Sequence, residues 1–514
     1  MITDISEKRG APEGRQLHGQ FHGQFHGRRT AWQLPVPSLP LLVGVAVFAR
    51  LLVERTALLH DPDTYLHIAA GQWMVAHHAL PTHDPFSHSM PGVTWISSEW
   101  LAQLAMGFLY DQLGWRGVVL ATAAAFALSI GLLTRFLLRR LDAFPSLIAV
   151  IATSALLEPH ALARPHILAL PLLVAWTGIL LGARDDDRPP PYAALPLMVL
   201  WANLHASYLF GLALTGYLAV EAVWQAGTDH RRREAMRWAG FVAAACLAAL
   251  VNPHGIAGFV QPLRLMQMPA LQRSFAEWLS PDFSKSPALE MWLLGLLLLG
   301  FTARLRLPAT RLLLLLGLVH MTLQHARHGD LLAVVVPLAV AAPLGERLRP
   351  LLREQAADLT AWAARFTQPQ RPISAVVAVL AAAIIALPTA LTPIERVDDA
   401  VTPAAALAAA QRAGLSGPVF NSEAFGGYLI FRGIPTMIDG RAEMYGNDFL
   451  VEAYAAEQGD ETAVARLLAA HPVTWAMLIP DTGAAGVLAH QPGWQRVYDD
   501  RYAIVYRRVA PPGG

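Results

Sequence analysis

The sequence predicts a mostly α-helical protein, a polytopic membrane helix bundle that is followed by a small C-terminal α/β domain outside the membrane. Hydrophobic residues make up 54% of the 514-residue chain and charged residues only 15%, whereas roughly 25% of a typical soluble domain is charged. The apolar residues also come in repeated long blocks, and the last part of the chain instead shows short alternating runs and turn residues. These three observations together predict the fold class.

Charge and cysteine content exclude several classes of protein. The formal net charge is +1, and the arginines fall in short clusters between apolar blocks, which argues against a nucleic-acid-binding protein. The single cysteine, Cys246, excludes an intramolecular disulfide and a cysteine-based metal site. The motifs of serine hydrolases, P-loop enzymes, zinc proteases and dinucleotide-binding enzymes are absent where their context requires them.

Apolar stretches of about 17 to 25 residues are typical of membrane-spanning helices, and we count about eleven candidates. Several of them are short or closely spaced, notably 145–160 and 192–206. The candidates lie near residues 35–55, 115–138, 145–160, 166–183, 192–206, 208–225, 238–252, 288–304, 311–325, 330–344 and 373–391.

The orientation of the bundle follows from the arginines, which cluster in alternate gaps between the spans, for example at 231–233. Cytoplasmic gaps are enriched in basic residues, so these gaps and a disordered tail at 1–33 are predicted to be cytoplasmic. The transmembrane core at 34–391 then carries an external loop at 60–100. The cytoplasmic halves of the spans consist mainly of Leu, Ala and Val, so nearly all unusual polar residues are expected on the external side.

The region 392–514 loses the membrane pattern, which predicts a soluble external α/β domain. The basic and apolar segment 345–372 before it is predicted to lie along the cytoplasmic interface. Within the domain, helical patterns at 403–413 and 447–470 alternate with strand-like runs at 418–421, 427–431, 435–439, 473–479 and 502–508.

The sharpest local feature is the acidic pair Asp61 and Asp63, directly after the first span. Two carboxylates one residue apart at a membrane surface are suited to hold a divalent cation through hard oxygen ligands. One of them is alternatively suited to act as a base, and a purely structural reading is that Asp63 or Thr64 caps the next helix. His67 is one helical turn beyond Asp63, so its ring is expected to reach the same site.

Further polar residues accumulate at the predicted external ends of other spans. Glu99 precedes an apolar helix, and a carboxylate at that depth is a functional candidate. Several such residues from different spans imply a shared polar cavity, and arginine with histidine suits either a phosphate or an anionic lipid headgroup. The candidates for this cavity are Arg164, His166, His205, His254, Arg327 and His328.

The predicted external domain contains the segment EAFGGYLIFRGIPTMIDGRAEMYG at 423–446. Its paired glycines and the sequence around Asp439 and Arg441 indicate a strand and a turn. Two interpretations of these residues stay open at this point. Asp439 and Arg441 either pair with each other or, together with Tyr428, form a binding loop that faces the membrane cavity.

The run DPDTYLHIAAGQWMVAHHALPTHDPFS resembles the first external loop of GT-C glycosyltransferases, especially the catalytic subunit of oligosaccharyltransferases. The later pieces WANLH, NPHG, EW-x-SPDF and GGYLI...P-x-x-IDGR-x-x-x-Y are similar to a group of large bacterial membrane proteins of that kind. The resemblance covers most of the chain. It implies a multi-span core under an external C-terminal domain, in a bacterial inner (plasma) membrane with a cytoplasmic N-terminus and a periplasmic C-terminal domain.

The resemblance also implies an activity, the transfer of a sugar from a polyprenyl-phosphate or polyprenyl-pyrophosphate donor on the external face. It makes Asp61 and Asp63 the acidic pair of the loop, with one as a ligand of a divalent cation such as Mg²⁺ or Mn²⁺ or as the acceptor base. Arg164, His166, Arg327 and His328 become contacts to the donor phosphate. The stretch 425–428 stands where oligosaccharyltransferases have the motif WWDYG, but its tryptophans and central aspartate are missing here, so recognition of a peptide sequon is not implied.

Membrane glycosyl transfer is therefore the leading hypothesis, with membrane lipid and a polyprenyl-linked sugar as partners. A transporter or flippase of a lipid-linked anion is one alternative, although polar residues confined to one face disfavour it. A noncatalytic scaffold that presents the region 392–514 is the other. The scaffold predicts that neutralising the acidic pair is silent, whereas the enzyme predicts loss of activity.

Overall fold

A computed structural model of the chain describes residues 38–274, 276–303, 305–355, 358, 366–367 and 372–509. The predicted cytoplasmic tail at 1–33 lies outside these residues. Within the described part the chain is mostly helical and carries one small sheet near its C-terminus. This confirms the mostly α-helical prediction with a small C-terminal sheet, whereas the exact domain boundaries stay a prediction.

The described helices follow one another along the chain with short connections. They are α1 Leu39–Val53, α2 Asp63–His77, α3 Trp100–Leu113, α4 Trp115–Leu137, α5 Ala143–Leu157, α6 Pro165–Asp185, α7 Leu195–Leu204, α8 Tyr208–Gln225, α9 Thr228–Ala249, α10 Ile256–Met266, α11 Pro269–Ser274, α12 Pro287–Ala303, α13 Ala309–Gln324, α14 Gly329–Gln355, α15 Pro372–Leu391, α16 Ala404–Arg412, α17 Gly426–Phe431, α18 Ala442–Tyr445, α19 Asn447–Glu457, α20 Glu461–Ala470 and α21 Gly483–His490.

Five helical stretches of the described chain are long and apolar enough to cross a membrane. Each predicted span overlaps a helix, but the prediction of about eleven spans is not supported. The ten residues of α7 rise only about 15 Å, half of the roughly 30 Å of a hydrocarbon core. The five stretches are Trp115–Leu137, Ala143–His160, Pro165–Asp185, Ala326–Leu352 and Pro372–Leu391, and shorter apolar helices are Leu39–Val53, Tyr192–Leu204, Pro287–Ala303 and Ala309–Gln324.

The centre of the bundle is formed by α4, which packs against α1, α3 and α6. Its buried face carries large apolar side chains such as Phe126, Ile130 and Leu133. Helix α6 adds Trp176, which is fully buried and donates to the backbone oxygen of Gly211 at 3.1 Å. The indole nitrogen therefore has a partner inside the apolar core, where an unpaired donor is costly.

Helices α2 and α3 cross unusually closely because a glycine of each faces the backbone of the other. A Cβ atom on Gly71 would overlap the carbonyl oxygen of Gln103, and one on Gly107 would lie 2.6 Å from the backbone nitrogen of Gln72. This crossing holds the start of α2, which carries the acidic pair, against the bundle.

Replacing Gly71 by Ala is expected to lower the stability of the protein by about 1 to 3 kcal/mol, because the added methyl group forces the two backbones apart. Gly216 in α8 is a matched control, since a Cβ there meets nothing within 4 Å. The thermal unfolding midpoints of the two detergent-solubilised variants measure the difference. Equal midpoints would show that the crossing tolerates a larger separation.

The sheet has four strands, β1 Val419–Asn421, β2 Trp475–Leu478, β3 Trp494–Asp499 and β4 Ile504–Arg508, in the order β1-β2-β4-β3. Strands β1 and β2 are parallel, with Val419 opposite Trp475. Strand β4 is antiparallel to both of its neighbours, β2 and β3. Helices α17 to α20 lie in the crossover between β1 and β2, as a parallel pair requires a long connection.

Two secondary-structure predictions in this region are wrong. The run at 427–431 lies in α17, where nearly all residues are buried and buried and exposed positions do not alternate. The run at 435–439 forms no strand in the described chain, only an isolated bridge at Thr436. The first part of the segment 345–372 continues α14 to Gln355, and its position along the cytoplasmic interface stays a prediction. Strand β3 was not predicted.

A buried group of charged residues lies at the end of the bundle opposite the acidic pair. Arg311 donates to both carboxylate oxygens of Glu221 at 2.9 Å and to Asp185 at 3.0 Å. Arg311 and Glu221 are only 5% and 1% exposed. The expectation that these halves of the helices consist mainly of Leu, Ala and Val did not foresee this group, because single charged residues far apart in sequence meet and pair in the fold.

Candidate functional site

The acidic pair lies where the connection after α1 turns into α2. Asp61 is 5% exposed, and its Oδ1 accepts the backbone N–H of Asp63 at 2.9 Å. Thr64 donates its hydroxyl to the carbonyl of Ala163 at 3.0 Å. Asp61, rather than Asp63 or Thr64, thus accepts from the free backbone N–H at the start of the helix, and the pair is fixed to the segment before α6.

One guanidinium joins the two carboxylates. Arg164 places Nη1 3.3 Å from Oδ2 of Asp61 and Nη2 2.9 Å from Oδ2 of Asp63. Glu277, in a short 3₁₀ turn before α12, lies 3.8 Å from Nη1. Burial raises the pKa of Asp61 and raises that of Asp63 to about 7, against the attraction of Arg164. Burial of several carboxylates around one cation therefore leaves the site with an excess of acidic groups.

A second carboxylate, Glu99, lies between two imidazoles. Its Oε1 is 3.3 Å from Nε2 of His205, and its Oε2 is 4.0 Å from Nδ1 of His67. Gln103 also approaches Nδ1 of His67 at 3.3 Å. Burial raises the pKa of Glu99 to about 8 and lowers that of His67 to about 3. The structure therefore places His67 beside Glu99 and Gln103 rather than against the acidic pair, and its ring is neutral.

The other predicted histidines face groups of the protein itself. Nε2 of His166 lies 3.1 Å from the carbonyl of His160, and Nε2 of His254 lies 3.0 Å from that of Ser97. Nδ1 of His328 is similarly 3.1 Å from a backbone carbonyl of α13. One ring nitrogen of each histidine thus lies at hydrogen-bonding distance from a backbone carbonyl. These contacts connect segments at this end of the bundle.

Arg327 differs from these histidines because it makes no direct polar contact in the described part of the chain, although the nearby charge of Glu277 acts on it. Its guanidinium lies over the ring of Trp278, 4.3 Å from the ring centre. It makes no hydrogen bond or ion pair with any residue in the described ranges, although Glu277 is the sequence neighbour of Trp278. A half-buried arginine held by an aromatic ring retains its N–H donors for a further anion.

Asp439 and Arg441 form a buried latch between the C-terminal region and the first long loop. Arg441 donates to both oxygens of Asp439 at 2.7 Å and to Asp84 at 2.6 Å. Tyr445 also donates to Asp439 at 2.6 Å. Burial alone would raise the pKa of Asp439, but Arg441 and Tyr445 hold it below its usual value. Of the two readings that the sequence left open, the structure shows the pairing.

Two glycines bring the C-terminal region directly onto the acidic pair. A Cβ on Gly427 would overlap the carbonyl oxygen of Pro62, and one on Gly440 would overlap the carboxylate of Asp63. Tyr428 is buried and packs edge-on against Tyr65, with ring centres 5.2 Å apart. The predicted binding residue Tyr428 is thus part of the contact between this region and α2.

The structure adds residues to which the sequence analysis gave no role in the site, namely Glu277, Trp278 and Asp330. Asp330 lies 2.6 Å from Nδ1 of His160. Glu277 and Trp278 are the first two residues of the piece EW-x-SPDF, which carried part of the resemblance. That piece indicated the family but not that Glu277 faces Arg164.

The residues around the acidic pair do not fit a resident divalent cation. Mg²⁺ requires several oxygen ligands in octahedral geometry, but both oxygens of Asp61 already accept from Asp63 and Arg164. In the described part of the chain, no three His, Cys, Asp or Glu side chains form a group that could hold a metal ion. Binding of Mg²⁺ or Mn²⁺ at Asp61 and Asp63 stays a prediction from the resemblance.

No protein-family model and no curated protein matches the sequence. The fold, however, is similar to that of the archaeal oligosaccharyltransferase AglB from Archaeoglobus fulgidus, solved in complex with an inhibitory peptide and a dolichol-phosphate. The two structures superimpose with a TM-score of 0.51 at 11% sequence identity, and the match covers 91% of this chain and 74% of AglB. This chain has a GT-C fold.

A second structure with a GT-C fold matches over nearly its whole length. ArnT from Cupriavidus metallidurans, bound to undecaprenyl phosphate, has a TM-score of 0.48 and 16% identity, over 92% of this chain and 99% of ArnT. The match to AglB confirms the resemblance at the level of the fold. At such low identity the role of each side chain has to be argued from its own contacts.

Proposed function

We propose that this chain is a membrane glycosyltransferase that moves a sugar from a polyprenyl-phosphate or polyprenyl-pyrophosphate donor to an acceptor hydroxyl. The single observation that carries the proposal is the acidic pair Asp61 and Asp63, held by Arg164 beneath the C-terminal region. The proposal places this site at the external face of a bacterial inner membrane. The GT-C fold, which AglB uses with a dolichol-phosphate present, supports it.

Asp63 is the better base of the pair. Its side chain is 20% exposed, against 6% for Asp61, so an acceptor hydroxyl can approach it. Asp61 uses one oxygen for the backbone of Asp63 and the other for Arg164. The structure therefore supports Asp63 as the acceptor base and Asp61 as the residue that positions it, a choice that the sequence left open.

The transfer is a single displacement. The acceptor oxygen attacks the anomeric carbon, its proton passes to the carboxylate of Asp63, and the bond from that carbon to the donor phosphate breaks. The phosphate leaves with the bonding electron pair, and the configuration at the anomeric carbon inverts. Charge that develops on the leaving phosphate is stabilised by guanidinium N–H donors, and Arg327, which makes no direct ion pair with any described residue, is placed to supply them.

Replacing Arg327 by Ala is expected to weaken the binding of undecaprenyl phosphate about ten-fold, which corresponds to about 1.4 kcal/mol. The loss arises because the phosphate loses a charged donor, whereas Trp278 keeps its place in the apolar cluster around it. Affinities are measured on purified protein in nanodiscs by native mass spectrometry.

Arg264→Ala is the matched control for this prediction, because Arg264 is an exposed arginine on α10. It should leave the affinity unchanged. Equal affinities of the Arg327 and Arg264 variants would contradict a phosphate site at Arg327. Displacement of undecaprenyl phosphate by excess phosphatidylglycerol would assign the site to general headgroup binding instead.

The function itself is tested in a strain that lacks the gene. Glycolipids, glycans and glycoproteins of this strain are compared by mass spectrometry with those of the same strain carrying the wild-type gene. One class of glycosylated product should disappear with the gene and return with it. Identical product profiles would count against a glycosyltransferase and favour the scaffold.

Transport of a lipid-linked anion finds less support. The charged group around Arg311 and Glu221 shows that polar residues occur at both ends of the bundle. Confinement of polar residues to one face therefore no longer counts against transport. Those residues are, however, buried and paired with each other. Between the two ends, α4 and α6 present mainly apolar buried side chains, which form no polar path.

A further inference from the structure

We propose that the guanidinium of Arg164 holds the place of a divalent cation between Asp61 and Asp63, so that the protein's own arginine bridges the acidic pair. The inference concerns the binding chemistry of the site. It stands independently of the glycosyltransferase activity, because metal binding is measured without a sugar donor.

The first argument is the position of the guanidinium. Its two terminal nitrogens contact one oxygen each of Asp61 and Asp63, and Nη1 also faces Glu277 at 3.8 Å. Three carboxylates from separate elements thus converge on one cation. A metal ion ligated by the same three oxygens would have to occupy the space of the guanidinium, because a bridging ion must lie within 2.0–2.6 Å of each oxygen.

Second, the backbone at Arg164 is fixed in a position from which the side chain reaches the acidic pair. Arg164 precedes Pro165, the first residue of α6, and a residue before proline is restricted to extended conformations. On the other side, Ala163 donates its N–H to the carbonyl of Leu58 at 2.7 Å and accepts from Thr64 at 3.0 Å. The residues on both sides of Arg164 are therefore held in place, and one of the hydrogen bonds runs to α2, the helix that carries Asp63.

The third argument is electrostatic. Displacing the guanidinium from this pair would separate a partly buried cation from its carboxylates, and charges without a partner are unfavourable in such surroundings. Arg327 does not compensate, since it lies over Trp278 and makes no ion pair within the described residues. A dication therefore competes with a cation that is covalently part of the chain and correctly placed.

The experiment measures Mn²⁺ binding to purified protein in nanodiscs by the loss of the free Mn²⁺ signal in electron paramagnetic resonance. Wild-type protein is expected to bind no stoichiometric Mn²⁺ in the millimolar range. Arg164→Ala removes the guanidinium that keeps the carboxylates of Asp61, Asp63 and Glu277 apart, so that these side chains can turn toward one ion. The variant should bind one Mn²⁺ per chain, about ten-fold or more tightly than any wild-type binding. Asp63→Asn added to Arg164→Ala should abolish the gained site.

Arg327→Ala is the matched control, because it removes a positive charge from the same end of the bundle without touching the acidic pair, and it should gain no Mn²⁺. Stoichiometric Mn²⁺ binding by the wild type that Asp61→Asn abolishes would overturn the inference. So would a folded Arg164→Ala protein, judged by its unfolding midpoint, that binds no more Mn²⁺ than the wild type. If Arg164→Ala fails to fold, Arg164→Gln and the wild-type measurement decide the matter in the same way.

Activity gives a separate readout that rests on the function proposed above. With the transferase active, EDTA should leave the rate of product formation unchanged. Mn²⁺ binding and product formation are measured independently, so failure of one proposal is distinguishable from failure of the other.

Discussion

Replacing Asp63 by Asn is expected to lower the rate of sugar transfer by about 10²–10⁴-fold, the usual contribution of a positioned general base. Asn has the same shape, so the contact of the side chain with Gly440 is retained. It cannot accept the proton of the acceptor hydroxyl, and it loses the charge that pairs with Arg164 at 2.9 Å. The glycosylated products of a complemented deletion strain, quantified by mass spectrometry, measure the loss.

The matched control for this variant is Asp282→Asn. Asp282 is an exposed carboxylate that pairs with Lys285 in the loop before α12. It should support wild-type levels of product. A folded Asp63→Asn protein that restores the products as fully as Asp282→Asn would contradict a catalytic role and favour the noncatalytic scaffold.

Arg441→Ala is expected to destabilise the protein by about 3–5 kcal/mol, because removal of one partner from a buried ion pair leaves the other charge uncompensated. Two carboxylates lose their partner in this case, since Arg441 contacts both Asp439 and Asp84, and its side chain is only 2% exposed. The guanidinium also lies 4.8 Å from the ring centre of Trp95. Tryptophan fluorescence during thermal unfolding therefore follows the loss directly.

Arg466→Ala is the control for the latch. Arg466 pairs with Glu452 at 2.6 Å, but its side chain is 62% exposed, and exposed pairs contribute about 0–1 kcal/mol. Its unfolding midpoint should stay close to that of the wild type. If both arginine variants unfold at the same temperature, the latch does not stabilise the contact between the C-terminal region and the first loop.

Hydropathy and local pattern predicted many helices correctly, because an apolar block buries its side chains whatever its neighbours are. Each of the predicted spans overlaps a helix, and strands β1, β2 and β4 lie within predicted runs. The same pattern failed at 427–431, where α17 replaces a strand. There Gly426 and Gly427 allow the backbone to approach Asp439 and Pro62 so closely that both sides of the segment are buried, which removes the alternation on which strand prediction depends.

For the site, the sequence located the acidic pair and the arginines but not their pairing. The separation between Asp61 and Arg164 is 103 residues, and that between Asp84 and Arg441 is 357. No local rule relates residues so far apart, so the partner of each charge is decided by how the helices pack. Glu277 was given no role for the same reason, because only the folded structure brings its carboxylate to 3.8 Å from Arg164.

By itself, the sequence determined the class of this protein, a mostly helical membrane bundle with a small C-terminal sheet, and the concentration of polar residues in certain connections. These properties depend on composition and periodicity, which are local. Only the tertiary structure decided that Arg164 bridges Asp61 and Asp63, that Arg441 joins Asp439 to Asp84, and that Arg327 lies over Trp278 without a direct ion pair in the described part of the chain. The physical reason is that electrostatic partnership depends on distance in space, and folding brings together charges that the chain keeps hundreds of residues apart.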